Sequence, residues 1–103
     1  MKQFQLQVLW LEDTIGFSVN QSISHIHLPL TSYYFWPLTD AWEQIKSELE
    51  SKPWFCSSTQ ICLLNSIAEV INLWQLSRNL NPLERRNEYK KISSKDIFII
   101  GLH

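Results

Sequence analysis

An α+β fold is expected for this chain of 103 residues: a small N-terminal antiparallel β-sheet packed against two α-helices, with a basic C-terminal extension. Three observations carry the expectation. Hydrophobic and polar residues alternate over the first twenty positions, the period of a half-buried strand. Two stretches between residues 40 and 76 instead repeat their apolar residues at three and four positions, the period of a helix with one buried face. Two glycines against five tryptophans, with 45% apolar residues, fit a packed core and not a low-complexity chain.

Phe4, Leu6, Val8 and Trp10 occupy alternate positions, as do Ile15, Phe17 and Val19. With the short polar Glu12-Asp13-Thr14 between them, the two runs predict a β-hairpin over about residues 4–20. Gly16, inside the second run, marks a bulge or a close approach by another group. The extended pattern continues through Ile26 and Leu28 to Pro29, which cannot donate to a ladder and so belongs on an edge or at a bend. Tyr33, Tyr34, Phe35 and Trp36 follow, closed by Pro37. Successive side chains of an extended chain point to opposite faces, so one or two of these rings must face away from the core.

Asp40 with Glu43 three positions on has the form of a capping box, and Trp42, Ile45 and Leu49 share one face of the helix it starts. Lys52-Pro53 ends that helix. Ser57 with Gln60 repeats the signal for a longer helix to about Leu76, with Ile61, Leu64, Ile67, Ala68, Ile71 and Trp74 as its apolar stripe. Beyond Arg78 a polar, charged stretch leads to Ile97-Phe98-Ile99-Ile100, a β-prone run. Left exposed it would invite aggregation, so it is expected to dock on the domain or on a partner. The organisation expected is one domain over residues 1–77 and a basic extension over residues 78–103 ending in that run.

Nine lysines and arginines oppose ten carboxylates, a net charge of −1, which excludes the strong positive field of an autonomous nucleic-acid binder. The distribution is uneven. Residues 1–77 carry −4 and residues 78–103 carry +3, so a mildly acidic body ends in a basic tail suited to a partner of opposite sign. Within it Arg78, Arg85, Arg86, Lys90, Lys91 and Lys95 are the candidates for contact with RNA phosphates, each adding a salt-dependent increment to affinity; the alternative is a solvated terminus. Tyr33, Tyr34, Phe35, Trp36 and Trp54 are the candidates for an aromatic interface, where unpaired bases or a protein neighbour would rest, against the alternative that they only pack the core.

Catalysis finds no support. With two glycines no phosphate-cradling loop can be built, and neither a GxSxG turn nor a Cys/His nucleophile pair can be assembled. Glu43, Glu48 and Glu50 alternate with Lys46 and Lys52 at helical spacings, as on a solvated face. His25 and His27 would share one side of a strand, but without a CxxC, HExxH or second ligand pair they read as ordinary strand histidines and not as a metal site. Cys56 and Cys62 form no disulfide framework, so a reducing compartment is expected. The segment after Met1 lacks the layout of a signal peptide, and no apolar run approaches a membrane span.

Several stretches resemble a known family. Pro29-Leu30-Thr31-Ser32-Tyr33-Tyr34-Phe35-Trp36-Pro37, Asp40-Ala41-Trp42-Glu43-Gln44 and Glu48-Leu49-Glu50-Ser51-Lys52-Pro53-Trp54 are similar to the plastid-specific ribosomal protein 3 family, small-subunit proteins of cyanobacteria and plastids. Val8-Leu9-Trp10-Leu11-Glu12, Ile15-Gly16, Leu63-Leu64-Asn65, Glu69-Val70-Ile71-Asn72 and Trp74-Gln75 extend the likeness to about residues 4–75. The resemblance implies a structural constituent of the small ribosomal subunit with a role in translation, without catalysis or cofactor. Ribosomal RNA and neighbouring ribosomal proteins would be its partners, and the ribosomes of the plastid (chloroplast) stroma or of the cyanobacterial cytoplasm its location. The competing reading is a free protein–protein adaptor that uses the same aromatic surface.

Overall fold

The computed structural model describes residues 3–78, 84 and 97–100. Strands β1 (Gln3–Trp10), β2 (Ile15–Ile23), β3 (Ile26–Pro29) and β4 (Tyr34–Trp36) precede helices α1 (Ala41–Glu50) and α2 (Ser57–Ser77), and β5 (Ile97–Ile100) follows. The expected hairpin forms with Leu6 opposite Val19, Val8 opposite Phe17 and Trp10 opposite Ile15. Every one of these pairs is buried on both strands. A slip of one residue would drive Gln5, Gln7 and Ser18 into the core, so hydrophobicity fixes the register. The loop closes where the Leu11 N–H donates to the Thr14 carbonyl at 3.1 Å.

The chain then reverses again. Ser24 (φ 45°) and His25 (φ 72°) form a two-residue turn with both residues in the left-handed region, the backbone twist that joins antiparallel strands without splaying them. No glycine or asparagine marks this turn, and the alternation alone predicted an extended run through it. His25 therefore sits in the turn and not in the strand that holds His27, which removes the shared strand face expected of the pair.

The third strand along β2 is broken in two. β3 pairs with Asn20–Ile23 and β4 with Ile15–Phe17, and Thr31 bridges the interruption. Leu30 and Thr31 donate their N–H groups to the Val19 carbonyl (2.9 and 3.3 Å), while the Val19 N–H donates to the Thr31 hydroxyl at 3.0 Å. The side chain stands in for the missing ladder acceptor, so the buried strand keeps no orphan backbone group there. Pro29 lies at this break on the sheet edge, as expected of a residue without an N–H.

β5 pairs with β1 in parallel, Leu6 beside Ile97 and Val8 beside Ile99, giving the order β3-β2-β1-β5 with β4 also on β2. The Ile97–Ile100 run thus docks on the domain. The sheet is mixed: the four N-terminal strands are antiparallel as expected, and the last is parallel because its chain returns by a long connection.

Both helices cover the same side of the sheet, and one cluster joins Leu6, Val8, Phe17 and Val19 to Ile45 and Leu49 of α1 and to Ile67 and Val70 of α2. Asp40 caps α1 by accepting the Glu43 N–H at 3.1 Å. The start of α2 differs from expectation: Cys56 occupies the N-cap without a side-chain capping bond, and Ser57 is already helical. The buried face of α2 is Leu63, Leu64, Ile67, Val70, Ile71 and Trp74, whereas Ile61 and Ala68 are exposed. Because α2 packs against both the sheet and α1, its buried arc is turned from the one its own periodicity suggests. Two tryptophans lock the layers through their indole N–H groups: Trp74 donates to the Leu11 carbonyl (2.9 Å) and Trp42 to the Leu64 carbonyl (3.1 Å), pairings that a buried indole requires.

Gly16 is the site of a close approach. It stands opposite Phe35, and a Cβ there would lie 2.7 Å from Phe35 Cε1 and 2.9 Å from Cδ1. Gly16→Ala is expected to destabilise the domain by about 1 kcal/mol through this overlap. In a Phe35→Ala background the same change should cost little, a coupling that urea denaturation of the four variants would measure.

Candidate functional site

The two-residue period of β4 splits the aromatic run between the faces of the sheet. Tyr34 and Trp36, opposite Phe17 and Ile15, turn inward and pack against the core. The Tyr34 hydroxyl donates to Glu48 Oε1 at 2.5 Å and so ties β4 to α1. That hydrogen bond, with smaller contributions from burial and from the carboxylate charge, raises the Tyr34 pKa above its ordinary value. Tyr33 and Phe35 turn the other way, their rings stacked with centroids 6.3 Å apart and planes 26° from parallel. The Tyr33 hydroxyl reaches across β2 to donate to Gln7 Oε1 at 2.8 Å. Trp54 lies elsewhere, 55% exposed, tilted against Phe55, which is itself held against Phe4 with centroids 4.7 Å apart.

Tyr33 and Phe35 belong to the side of the sheet that neither helix covers. The register places Gln5, Gln7 and Leu9 of β1, Gly16, Ser18, Asn20 and Ser22 of β2, His27 and Pro29 of β3 and, at the far edge, the exposed Ile100 of β5 on this same side. Among the described residues it carries no Asp, Glu, Lys or Arg. Among the described residues the carboxylates lie in the β1–β2 loop (Glu12, Asp13), at and on α1 (Asp40, Glu43, Glu48, Glu50), on α2 (Glu69) and at Glu84. Ser18, only 2% exposed, has a hydroxyl oxygen without a hydrogen-bond partner. Reading the sequence for aromatics alone overlooked Gln5 and Gln7, although the alternation that sends Leu6 and Val8 inward already sends these amides outward.

Of the basic candidates, Arg78 ends α2, exposed, with its guanidinium 5.2 Å from the centroid of the Trp74 ring. A cation at a helix C-terminus is favoured by the helix dipole, and the ring face adds a cation–π attraction. Arg85, Arg86, Lys90, Lys91 and Lys95 lie outside the described residues. An open groove of about 460 Å³ lies between α1 and α2, lined by Trp42, Ile61 and Leu64 among others; Lys46 lies 5.5 Å from the centroid of the Trp42 ring and 3.8 Å from Glu50. Among the described residues no three His, Cys, Asp or Glu side chains stand together as metal ligands would, and no helix is long and apolar enough to cross a membrane. Cys56, exposed at the start of α2, has its thiol pKa lowered to about 7, first by the Ser58 hydroxyl 3.0 Å from its sulfur and then by the Thr59 and Ser58 backbone N–H groups.

Two outcomes follow from this geometry. Tyr34→Phe removes the bond to Glu48 and is expected to cost about 1 kcal/mol at neutral pH. Because the folded state raises the Tyr34 pKa, the advantage of the natural residue is constant below about pH 10 and declines as the pH climbs through the folded value; paired thermal melts across alkaline pH check the sign. Cys56 should be alkylated by iodoacetamide with a midpoint near pH 7, Ser58→Ala moving that midpoint upward, as mass spectrometry of the adduct would record.

A family model described as "Plastid and cyanobacterial ribosomal protein (PSRP-3 / Ycf65)" matches residues 30–77, from the start of the edge-strand break through β4 and both helices. Curated relatives extend the similarity over most of the chain. A protein of Gracilaria tenuistipitata var. liui named small ribosomal subunit protein cS23 is 43% identical over 88 residues, covering 85% of this chain and 89% of the relative. A Synechococcus sp. (strain JA-3-3Ab) protein, named probable small ribosomal subunit protein cS23, is 46% identical over 83 residues, covering 81% and 84%. The Euglena granulata protein of the first name is 41% identical over 102 residues, 97% of each chain.

Proposed function

This chain belongs to the plastid and cyanobacterial ribosomal protein family PSRP-3/Ycf65, and from that premise we propose how it takes its place in the small ribosomal subunit. Its role there is structural, without catalysis, in the translation machinery of plastids or cyanobacteria. The single observation that carries this is identity of 41–46% over more than four-fifths of both partners in each of three relatives bearing that subunit's name.

A nearly neutral ribosomal protein needs a division of labour, because contact with RNA phosphates calls for cations. The −4 body holds its carboxylates on the helices and the first loop, and these suit the basic proteins that neighbour it in the subunit. The +3 extension from Arg78 onward is the arm that meets RNA phosphates through Arg85, Arg86, Lys90, Lys91 and Lys95, with Arg78 at its root. Several modest interactions then act together, each raising the effective concentration of the next.

The test keeps β5 in place, since its pairing with β1 is part of the sheet. Replacing Arg85, Arg86, Lys90 and Lys91 with glutamine should weaken co-sedimentation with small subunits and flatten its salt dependence by about 0.7–0.9 in log–log slope for each phosphate no longer neutralised. Unchanged binding with an unchanged slope removes the arm from the mechanism. A chain that migrates apart from small subunits in a size-resolved lysate overturns the ribosomal assignment and favours the adaptor.

A further inference from the structure

We propose that the open side of the sheet is a platform for unpaired ribosomal RNA nucleotides, whose bases stack on Tyr33 and Phe35 while their edges meet the Gln5 and Gln7 amides. The inference rests on the chain being a small-subunit constituent and adds where and how it touches RNA.

The chemistry of the face selects the occupant. Tyr33 is 37% exposed and Phe35 partly so, and the pair is already stacked, leaving aromatic surface for a base to extend the stack. The Tyr33 hydroxyl holds Gln7 Oε1, which fixes the orientation of the amide and leaves its NH2 group for an acceptor on a base edge. Gln5, two residues back on the same strand, presents a second amide to the same side. Amides have the paired donor and acceptor that reads nucleobases.

Charge points to single strands over duplexes. A duplex offers mainly phosphates, and this face holds no lysine or arginine among the described residues to meet them; an unpaired base offers a neutral ring. An anionic strand is repelled by the carboxylates of α1, α2 and the first loop, yet among the described residues meets none on the open face. In sequence, the segment containing Arg85, Arg86, Lys90, Lys91 and Lys95 precedes β5, a strand of this sheet, and carries more cations than carboxylates. A protein neighbour is the less favoured occupant. At the middle of the face the accessible group is the half-buried Gln7 amide, its strand partner Ser18 being buried, whereas the centres of protein interfaces are apolar.

The test uses the full chain, a short labelled oligoadenylate, and a duplex of the same length, read by fluorescence anisotropy. The single strand should bind more tightly than the duplex, and Tyr33→Leu should weaken it by about tenfold. That loss should be nearly independent of salt, unlike the loss from the arginine and lysine replacements in the extension. Gln7→Glu, which places a carboxylate on the face, should also weaken binding, with melting curves showing both variants folded. Ultraviolet irradiation of assembled small subunits should leave RNA adducts on peptides containing Tyr33 or Phe35. No binding of the oligoadenylate, equal affinity for the duplex, unaltered affinity in Tyr33→Leu, or cross-links from this face to protein and not to RNA would each overturn the proposal. Co-sedimentation separates the two levels of the argument: if the natural chain travels with small subunits while these results fail, the platform is wrong and the assignment to the subunit stands.

Discussion

Helices on only one side of a sheet impose the constraint from which the rest of this molecule follows. Leu6, Val8, Ile15, Phe17 and Val19 are completely buried beneath α1 and α2, and burial of side chains of that size is worth roughly 1.5–3 kcal/mol each before the cost of ordering the chain. Once those positions face the helices, the period of the strand sends Gln5, Gln7, Ser18 and Asn20 to the opposite side. The same rule divides the aromatic run, giving Tyr34 and Trp36 to the core and Tyr33 and Phe35 to the open face. Packing and surface chemistry are two consequences of one alternation.

The open face is not an ordinary solvated surface. Polar residues at the centre of β2 are almost as inaccessible as the core, Ser18 at 2% and Asn20 at 9%, and Phe35 lies so close to Gly16 that no side chain fits between them. Tyr33 crosses the sheet to Gln7. These contacts make a shaped surface that, among the described residues, carries no charged side chain.

Membership of a ribosomal family also gives meaning to the ties between layers. Trp42 and Trp74 are each bound through indole nitrogen to a backbone carbonyl of another element, and Tyr34 is bound to Glu48. Directional bonds of this kind hold the helices in one position on the sheet instead of letting apolar surfaces slide. A component whose work is to present a fixed surface to neighbours benefits from such rigidity, because little conformational freedom remains to be lost on assembly.

Much of this was legible in the chain. The hairpin of β1 and β2, the cap of α1 by Asp40, the edge position of Pro29, the tight approach at Gly16 and the outward rings of the aromatic run all follow from residues near one another in sequence, because alternation and capping act over a few positions. Other features depend on groups brought together from afar. The left-handed turn at Ser24-His25 carries no glycine signal, and the buried arc of α2 answers to two packing partners at once. Thr31 completes the ladder of a strand whose position its own neighbours do not specify. β5 finds β1 in parallel across some ninety residues of chain, and Trp74 finds the Leu11 carbonyl 63 positions away. Local chemistry determined which elements form and which sides they bury; the choice of neighbours, and with it the surface left open, was settled only when the whole core closed, since an interaction between distant residues has no energy until the chain has folded to make it.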